Sequence, residues 1–344
     1  MRTVENSITT DASGMNPFLE RMQFFYELFP YPGRPFFLSP NPNGSLEAHA
    51  GFSAIVAQGQ KNLSEEAVRD LKLRDLRHAF SDKKKIALVG CGTDEPLLFR
   101  VLHPHNPIVG FDLSLKSLRR ADKKIRWHQL KPIELEHGDA NHALPAHGLF
   151  DHIQCFGVLH HQPEPQKLLK SMSNALNQGG TLRMMIYSST GRRLERGVQK
   201  KFLGLWSVMS AETSTTAKQA PSGMRLMLAS LRLWMWRAAL PVFAKKSLSL
   251  RFRYLGFSPA RIADAFLHPS DHPLSLSNTL GWAEANGLKL VYHRAKSYDL
   301  GQLCSHASAN SSVQTLVSEE ESGNIASNII LVFKKVGGNT WIST

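Results

Sequence analysis

From residue 84 to residue 190 the apolar and polar positions alternate in a regular rhythm. Ile86-Ala87-Leu88-Val89 is an unbroken apolar run and reads as a strand buried on both faces. It stops at Gly90-Cys91-Gly92, where the backbone can turn tightly and let a ligand come close. Leu97, Leu98, Phe99, Val101 and Leu102 then fall at helical spacing, with Thr93 or Asp94 as N-cap and Pro96 in the first turn. The rhythm continues with a strand over 107–112 ending in Asp112 and a basic helix over 114–124. A strand over 133–140 closes on Asp139, and a strand over 150–161 runs into a loop. A helix over 163–176 and, behind Gly179-Gly180, a strand over 181–187 complete the series. Such alternation predicts a parallel, right-handed, doubly wound α/β sheet, which binds ligands outside the carboxyl ends of its strands.

The flanks follow other rhythms. Phe18, Leu19, Met22, Phe25, Tyr26 and Phe29 are at helical spacing and Pro30 ends that helix. The aromatic, proline-rich segment 29–37 reads either as a substrate wall, with Tyr31 and Arg34 at its mouth, or as an arm packed on the core. Ser64-Glu65-Glu66 opens a helix to about Phe80. Beyond 190 the strand rhythm breaks into a basic stretch (191–201), a Ser/Thr-rich linker (211–223) and an apolar helix over 224–243. Arg225, Arg232, Arg237 and Pro241 make that helix a poor membrane span. It reads as a lid that closes a pocket with side chains such as Trp234, or as a helix lying on a membrane surface. Helices over 259–266 and 276–285, strands over 288–293 and 328–333, and a partly helical excursion over 297–325 follow. The chain thus divides into an N-terminal helical cap (1–80), a nucleotide-binding core (81–190), a helical insertion (191–258) and a C-terminal part (259–344) that brings the sheet to seven strands.

Charge and cysteine content narrow the setting. Lys plus Arg number 41 against 28 Asp plus Glu, a net charge of +13, which favours an anionic partner such as RNA or a membrane surface. No aromatic-plus-basic RNA module accompanies that charge. Three cysteines without paired spacing fit a reducing cytoplasm and leave no zinc site or disulfide frame. The first fifteen residues carry no apolar run of the kind that begins a signal peptide.

The candidate chemistry sits at the strand ends. A dinucleotide turn would carry a third glycine where this chain has Glu95, next to Asp94. Two carboxylates at a helix start repel a pyrophosphate and favour a cationic ligand, such as the sulfonium and ammonium of S-adenosylmethionine; they also cap the helix and complement its dipole. Asp112 lies about 20 residues beyond Gly92, the interval at which a strand-end acid accepts from ribose hydroxyls. His160 and His161 are candidate bases. His268 and His272, either side of Asp271, suit substrate contact or a loop hydrogen-bond network, and an H-x-x-D-H pattern alone is a weak metal signal.

The set Val89-Gly90-Cys91-Gly92-Thr93, Gly110-Phe111-Asp112, Gly138-Asp139-Ala140, Phe150-Asp151-His152-Ile153, Gly157-Val158-Leu159-His160-His161 and 176–182 resembles the class I S-adenosylmethionine-dependent methyltransferases, in the family's order and at its spacings. Residues 187–193 and 267–272 resemble methyltransferase modules found beside tetratricopeptide repeats, and no such repeat is evident here. The resemblance implies a seven-stranded sheet with an antiparallel last strand and S-adenosyl-L-methionine as cofactor. Gly90, Cys91 and Gly92 would then pass close to the cofactor's methionine part, and Asp112, followed by Leu113, would hold the ribose. Asp139 and Ala140 would face the adenine, while Phe156 and Gly157 would lie beside the transferring methyl. The acid usually two positions before the first glycine is Leu88 here, a role Asp94 could take over. Tyr31, Arg34, Tyr187, Trp234, His268 and His272 are the substrate candidates. The expected reaction is methyl transfer to O or N of a small or medium-sized, partly apolar acceptor, without a metal. An RNA or tRNA acceptor and a non-catalytic binding protein on the same fold are the alternatives.

Overall fold

The computed structural model describes residues 8–10, 17–32, 83–193, 196, 260, 263–264, 268, 270–295, 302–303 and 309–336. In chain order these form β1 (Ile8–Thr10), α1 (Pro17–Leu28), β2 (Ile86–Val89), α2 (Glu95–Leu102), β3 (Ile108–Asp112), α3 (Leu115–Trp127), β4 (Glu134–His137) and the short α4 (Ala140–Ala143). They continue with β5 (Phe150–Phe156), α5 (Pro165–Asn174), β6 (Leu176–Tyr187), α6 (Leu276–Ala285), β7 (Leu288–Arg294), β8 (Gln302–Leu303), α7 (Ala309–Glu321) and β9 (Asn328–Lys335).

One sheet runs in the order β1-β4-β3-β2-β5-β6-β9-β7-β8. Strands β2 to β6 are mutually parallel, and β9 pairs antiparallel with both β6 and β7. The seven expected strands are all present with the expected antiparallel last strand, and two short edge strands extend them. Apolar alternation explains the layering. Ile86 and Leu88 face a core shared with Leu97, Phe99, Leu118 and Ile125, whereas Ala87 and Val89 face one shared with Leu168, Leu169, Leu276 and Leu316. A strand packed on both faces has no polar alternation, as its sequence shows.

The flanks diverge in part from the pattern-based expectation. The N-terminal cap is not purely helical, because β1 joins the sheet edge beside β4. A three-residue edge strand leaves too little periodicity to be read from sequence. β6 begins at Leu176, five residues earlier than its apolar run, with a register shift in its pairing to β5. The helix over 64–80, the linker over 211–223, the apolar helix over 224–243, Arg34, Trp234 and Cys304 lie outside the described residues. Among the described residues no helix is long and apolar enough to cross a membrane.

Helix α1 is the described part of the cap that matters for the site. Glu27 Oε1 accepts from Ser114 Oγ (3.0 Å) and from Lys116 N (2.9 Å), which clips the end of α1 to the start of α3. Tyr31 beyond it accepts on its carbonyl oxygen from Thr93 N at 2.9 Å. The chain before the sheet is thereby laid across the carboxyl ends of β2 and β3.

Candidate active site

A cavity of about 250 Å³ opens where β2, β3, β4 and β5 end. Its floor is backbone. Gly90 and Cys91 donate their N–H groups to Phe111 O at 2.8 and 3.0 Å, and Gly92 N donates to Asp112 Oδ2 at 2.8 Å. Gly90 and Gly92 hold positive φ values of 65° and 57°. A Cβ at Gly90 would lie 2.2 Å from Val158 Cγ2, and one at Gly92 would lie 2.8 Å from Tyr31 O. Only glycine fits either place.

All ten residues expected at the cofactor end line this cavity: Gly90, Cys91, Gly92, Asp94, Asp112, Leu113, Asp139, Ala140, Phe156 and Gly157. Asp112 accepts a second backbone bond, from Ser114 N to Oδ1 at 2.8 Å, and each oxygen keeps a further lone pair. Loss of water drives its pKa up to about 6 against the pull of those two bonds. Asp139 caps α4 by accepting from Asn141 N at 3.0 Å. Asp94 lines the cavity and is also held from behind. Its Oδ1 is ion-paired with the buried Lys124 and accepts from Thr93 Oγ1 at 2.9 Å. Lys124 occupies the apolar stripe of α3 beside Ala121 and Ile125, so its charge is neutralised inside the protein. Glu95 lines the cavity as well. Its Oε1 accepts from Gln154 Nε2 at 3.1 Å, and its Oε2 is buried without a hydrogen-bond partner. Desolvation pushes its pKa to about 7, with the Gln154 bond and the Arg183 charge pulling the other way.

Another part of the wall is assembled from side chains of distant segments. Tyr26, Tyr31, His161, Tyr187 and Asp264 all line it. Asp264 accepts from Tyr26 Oη and Tyr187 Oη, each at 3.2 Å. His268 Nδ1 accepts from Ser270 N at 3.1 Å, so its proton sits on Nε2, 3.1 Å from Tyr26 Oη. His161 Nδ1 donates to Ser270 O at 2.5 Å, which leaves a lone pair on Nε2, an atom that is buried and unpartnered. The two imidazoles stack with centroids 3.6 Å apart. Burial lowers the pKa of His161 to about 3 and that of His268 well below the usual value. Asp264 is pushed up to about 6 by desolvation, moderated by Arg192 and the two phenols.

His161, Asp264 and His268 could bring three ligand atoms within 4.8 Å of one another. The hydrogen bonds argue against a metal. Ser270 N–H points at His268 Nδ1 and so forces the proton onto Nε2, the atom that would have to ligate. A metal would need the proton on Nδ1, donor against donor. The cluster is built as a hydrogen-bond network.

The two neighbouring histidines divide in role. His160 lies outside the cavity wall: its Nδ1 accepts from Tyr187 N at 3.2 Å and its ring stacks on Tyr187 at 3.7 Å. His161 reaches the cavity. His272 is exposed, off the wall, and its N–H donates to His160 O at 3.0 Å. His268 stands one side chain behind the wall, through Tyr26. Sequence reasoning passed over Tyr26 and Asp264. Tyr26 sat among the apolar positions of α1, and Asp264 in a short helical stretch carrying no motif.

Residues 81–234 match a family model described as a methyltransferase domain. Over that stretch the chain is similar to this family. An uncharacterised protein of Synechococcus sp. is 25% identical over 185 residues, which cover 51% of this chain and 38% of that protein. The tRNA U34 carboxymethyltransferase of Campylobacter curvus is 35% identical over 104 residues, 30% of this chain and 34% of that enzyme. The chain therefore spans well under half the length of these curated relatives. In fold, the domain and its surroundings resemble the solved structure of PKMT2 from Rickettsia typhi, with a TM-score of 0.53 at 15% identity over 85% of this chain and 53% of that one.

Proposed function

We propose that the protein is an S-adenosylmethionine-dependent methyltransferase acting on O or N of a small or medium-sized, partly apolar acceptor in a reducing, cytoplasmic setting. The observation that carries this reading is the charge of the cavity wall on a methyltransferase domain. The wall holds Asp94, Glu95, Asp112, Asp139 and Asp264, and no Lys or Arg among the described lining residues. Such a wall repels a pyrophosphate and suits a ligand carrying a sulfonium and an ammonium. It also favours a methyl over a carboxymethyl group, whose anion would need a cation to hold it.

The donor supplies a methyl group already activated by its sulfonium, so the protein's part is alignment and exclusion of water. Asp112 is the ribose acceptor in this reading, fixed by Gly92 and Ser114. Asp139 and Ala140 bound the adenine, and Gly90, Cys91, Phe156 and Gly157 line the remainder. At the other end Tyr26, Tyr31, His161, Tyr187 and Asp264 receive the acceptor. Asp264 is ionised above about pH 6 and takes the proton of a hydroxyl acceptor directly or through Tyr26. His161, neutral at pH 7, orients the acceptor through the Nε2 lone pair. An amine acceptor needs only to arrive unprotonated.

Titration calorimetry with S-adenosylmethionine and S-adenosylhomocysteine tests the reading. Micromolar binding, about −8 kcal/mol, is expected, and absence of binding to the wild type removes the proposal. An RNA acceptor is the second reading, favoured by the net charge of +13 and by the tRNA-modifying relative. RNA binding whose affinity falls steeply with salt would select it over the small acceptor.

A further inference from the structure

The five acids of the cavity wall are not equivalent. Asp94 is spent on Lys124, and Asp112 on the two backbone N–H groups that shape the glycine turn. Asp139 caps α4, and Asp264 holds two phenols and faces Arg192. Glu95 differs from all of them. It has one hydrogen bond, from an uncharged amide, and a second oxygen that is buried without a partner. The cation that acts on it is held by the intervening amide, because Arg183 Nη1 donates to Gln154 Oε1 at 3.2 Å and Gln154 in turn donates to Glu95. Gln154 thereby fixes the orientation of the carboxylate without neutralising it. Leu88, beside Gln154 in the strand register, is fully buried and apolar, so β2 brings no acid of its own to this wall.

An uncompensated carboxylate in a poorly hydrated wall is costly unless a cationic ligand completes it. We infer that Glu95 is the counter-charge for the donor's sulfonium, and that it sets the preference of the site for S-adenosylmethionine over the demethylated product, S-adenosylhomocysteine. The inference rests on the proposed function. The two ligands share adenosine, carboxylate and amine and differ at sulfur, positive in the donor and neutral in the product. A carboxylate near the sulfur therefore acts on one ligand only, and it expels the product once the methyl has left.

Calorimetry on the wild type and Glu95→Gln, with both ligands, separates the outcomes. The expected result is a loss of about 10- to 100-fold in affinity for S-adenosylmethionine, the usual worth of a charged partner, with S-adenosylhomocysteine changed less than about threefold. Equal losses for both ligands would overturn the inference and leave the proposed function standing, and so would no loss for either. Failure of the wild type to bind either ligand removes the proposed function instead. If the variant does not fold, the wild type alone decides by its affinity ratio between pH 7.5 and 5.5. The groups facing Glu95 are Gln154, Arg183, Asp112, Asp94 and the buried thiols Cys91 and Cys155. Protonation of Asp112 affects a part common to both ligands and cancels in the ratio. The preference for S-adenosylmethionine is expected to collapse towards pH 5.5 as Glu95 takes up a proton, and a constant ratio would overturn the inference.

Discussion

The two ends of one cavity are built on different principles. At the proposed cofactor end the shape is made by main chain. Two glycines at positive φ turn under Asp112, whose carboxylate is held by the N–H groups of Gly92 and Ser114. At the proposed acceptor end the shape is made by side chains from four separated segments, carrying Tyr26, His161, Tyr187, and Asp264 with His268, locked by phenol, imidazole and ring contacts. Main chain at strand ends is a fixed geometry that does not change with the ligand's neighbours. Interlocked side chains can be exchanged one by one, so an acceptor site of this kind is free to vary while the donor site stays.

The sharpest way to break the comparison is Asp112→Ala. Two buried hydrogen bonds to a charged group disappear with the proposed ribose contact, at about 1.5–3 kcal/mol each. Cofactor affinity should fall by at least about 100-fold in calorimetry; retention of wild-type affinity would show that the glycine turn does not depend on its acid. Glu95→Gln, read as a donor-to-product ratio, is the next largest effect. Asp264→Asn addresses the other end. Turnover with a hydroxyl acceptor should fall by about 100-fold, within the range for general base catalysis, while the Kd for S-adenosylmethionine stays within about threefold. A parallel loss of cofactor affinity would mean that the two ends are one unit.

Gly90→Ala carries a smaller effect on stability. The added Cβ meets Val158 at positive φ, so a cost of about 1–3 kcal/mol is expected, read as a drop of about 2–4 °C in Tm per kcal/mol. An unchanged Tm would show that the loop can move aside.

The buried titratable groups also set the pH dependence of folding. His103, His152, His160, His161, His268 and His293 have native pKa values below 6.5, so the unfolded chain binds protons that the native protein refuses as pH falls below that value. Stability is lost in that direction, at up to about 1.4 kcal/mol per group and pH unit. Glu95, Asp112 and Asp264 are raised and act oppositely, since the native protein then holds the extra protons between about pH 4 and 7. Six histidines outweigh three acids, and Tm should decline from pH 6.5 to 4.5. A rising Tm over that range would place the histidines in water.

The sheet was readable because its causes are local. An apolar run such as Ile86–Val89, a glycine pair at its end and an acid closing each following strand are short-range patterns, and the parallel connection rule turns them into one topology. By itself the sequence determined the seven core strands and the strand-end wall of the cavity, which Gly90, Asp112 and Asp139 all line. It did not determine which acid stays unpaired. Asp94 and Glu95 are adjacent and chemically alike, and only packing gave one to Lys124 and left the other beside Gln154. It could not separate His160 from His161, whose rings point to different neighbours because the loop closes on Tyr187 and Ser270. Nor could it recruit Asp264, which lies 238 residues from Tyr26 in the chain and 3.2 Å from its hydroxyl in the structure. Contacts at that separation are decided by how whole elements pack, because burial energy is summed over the fold and leaves no signature at the positions it happens to join.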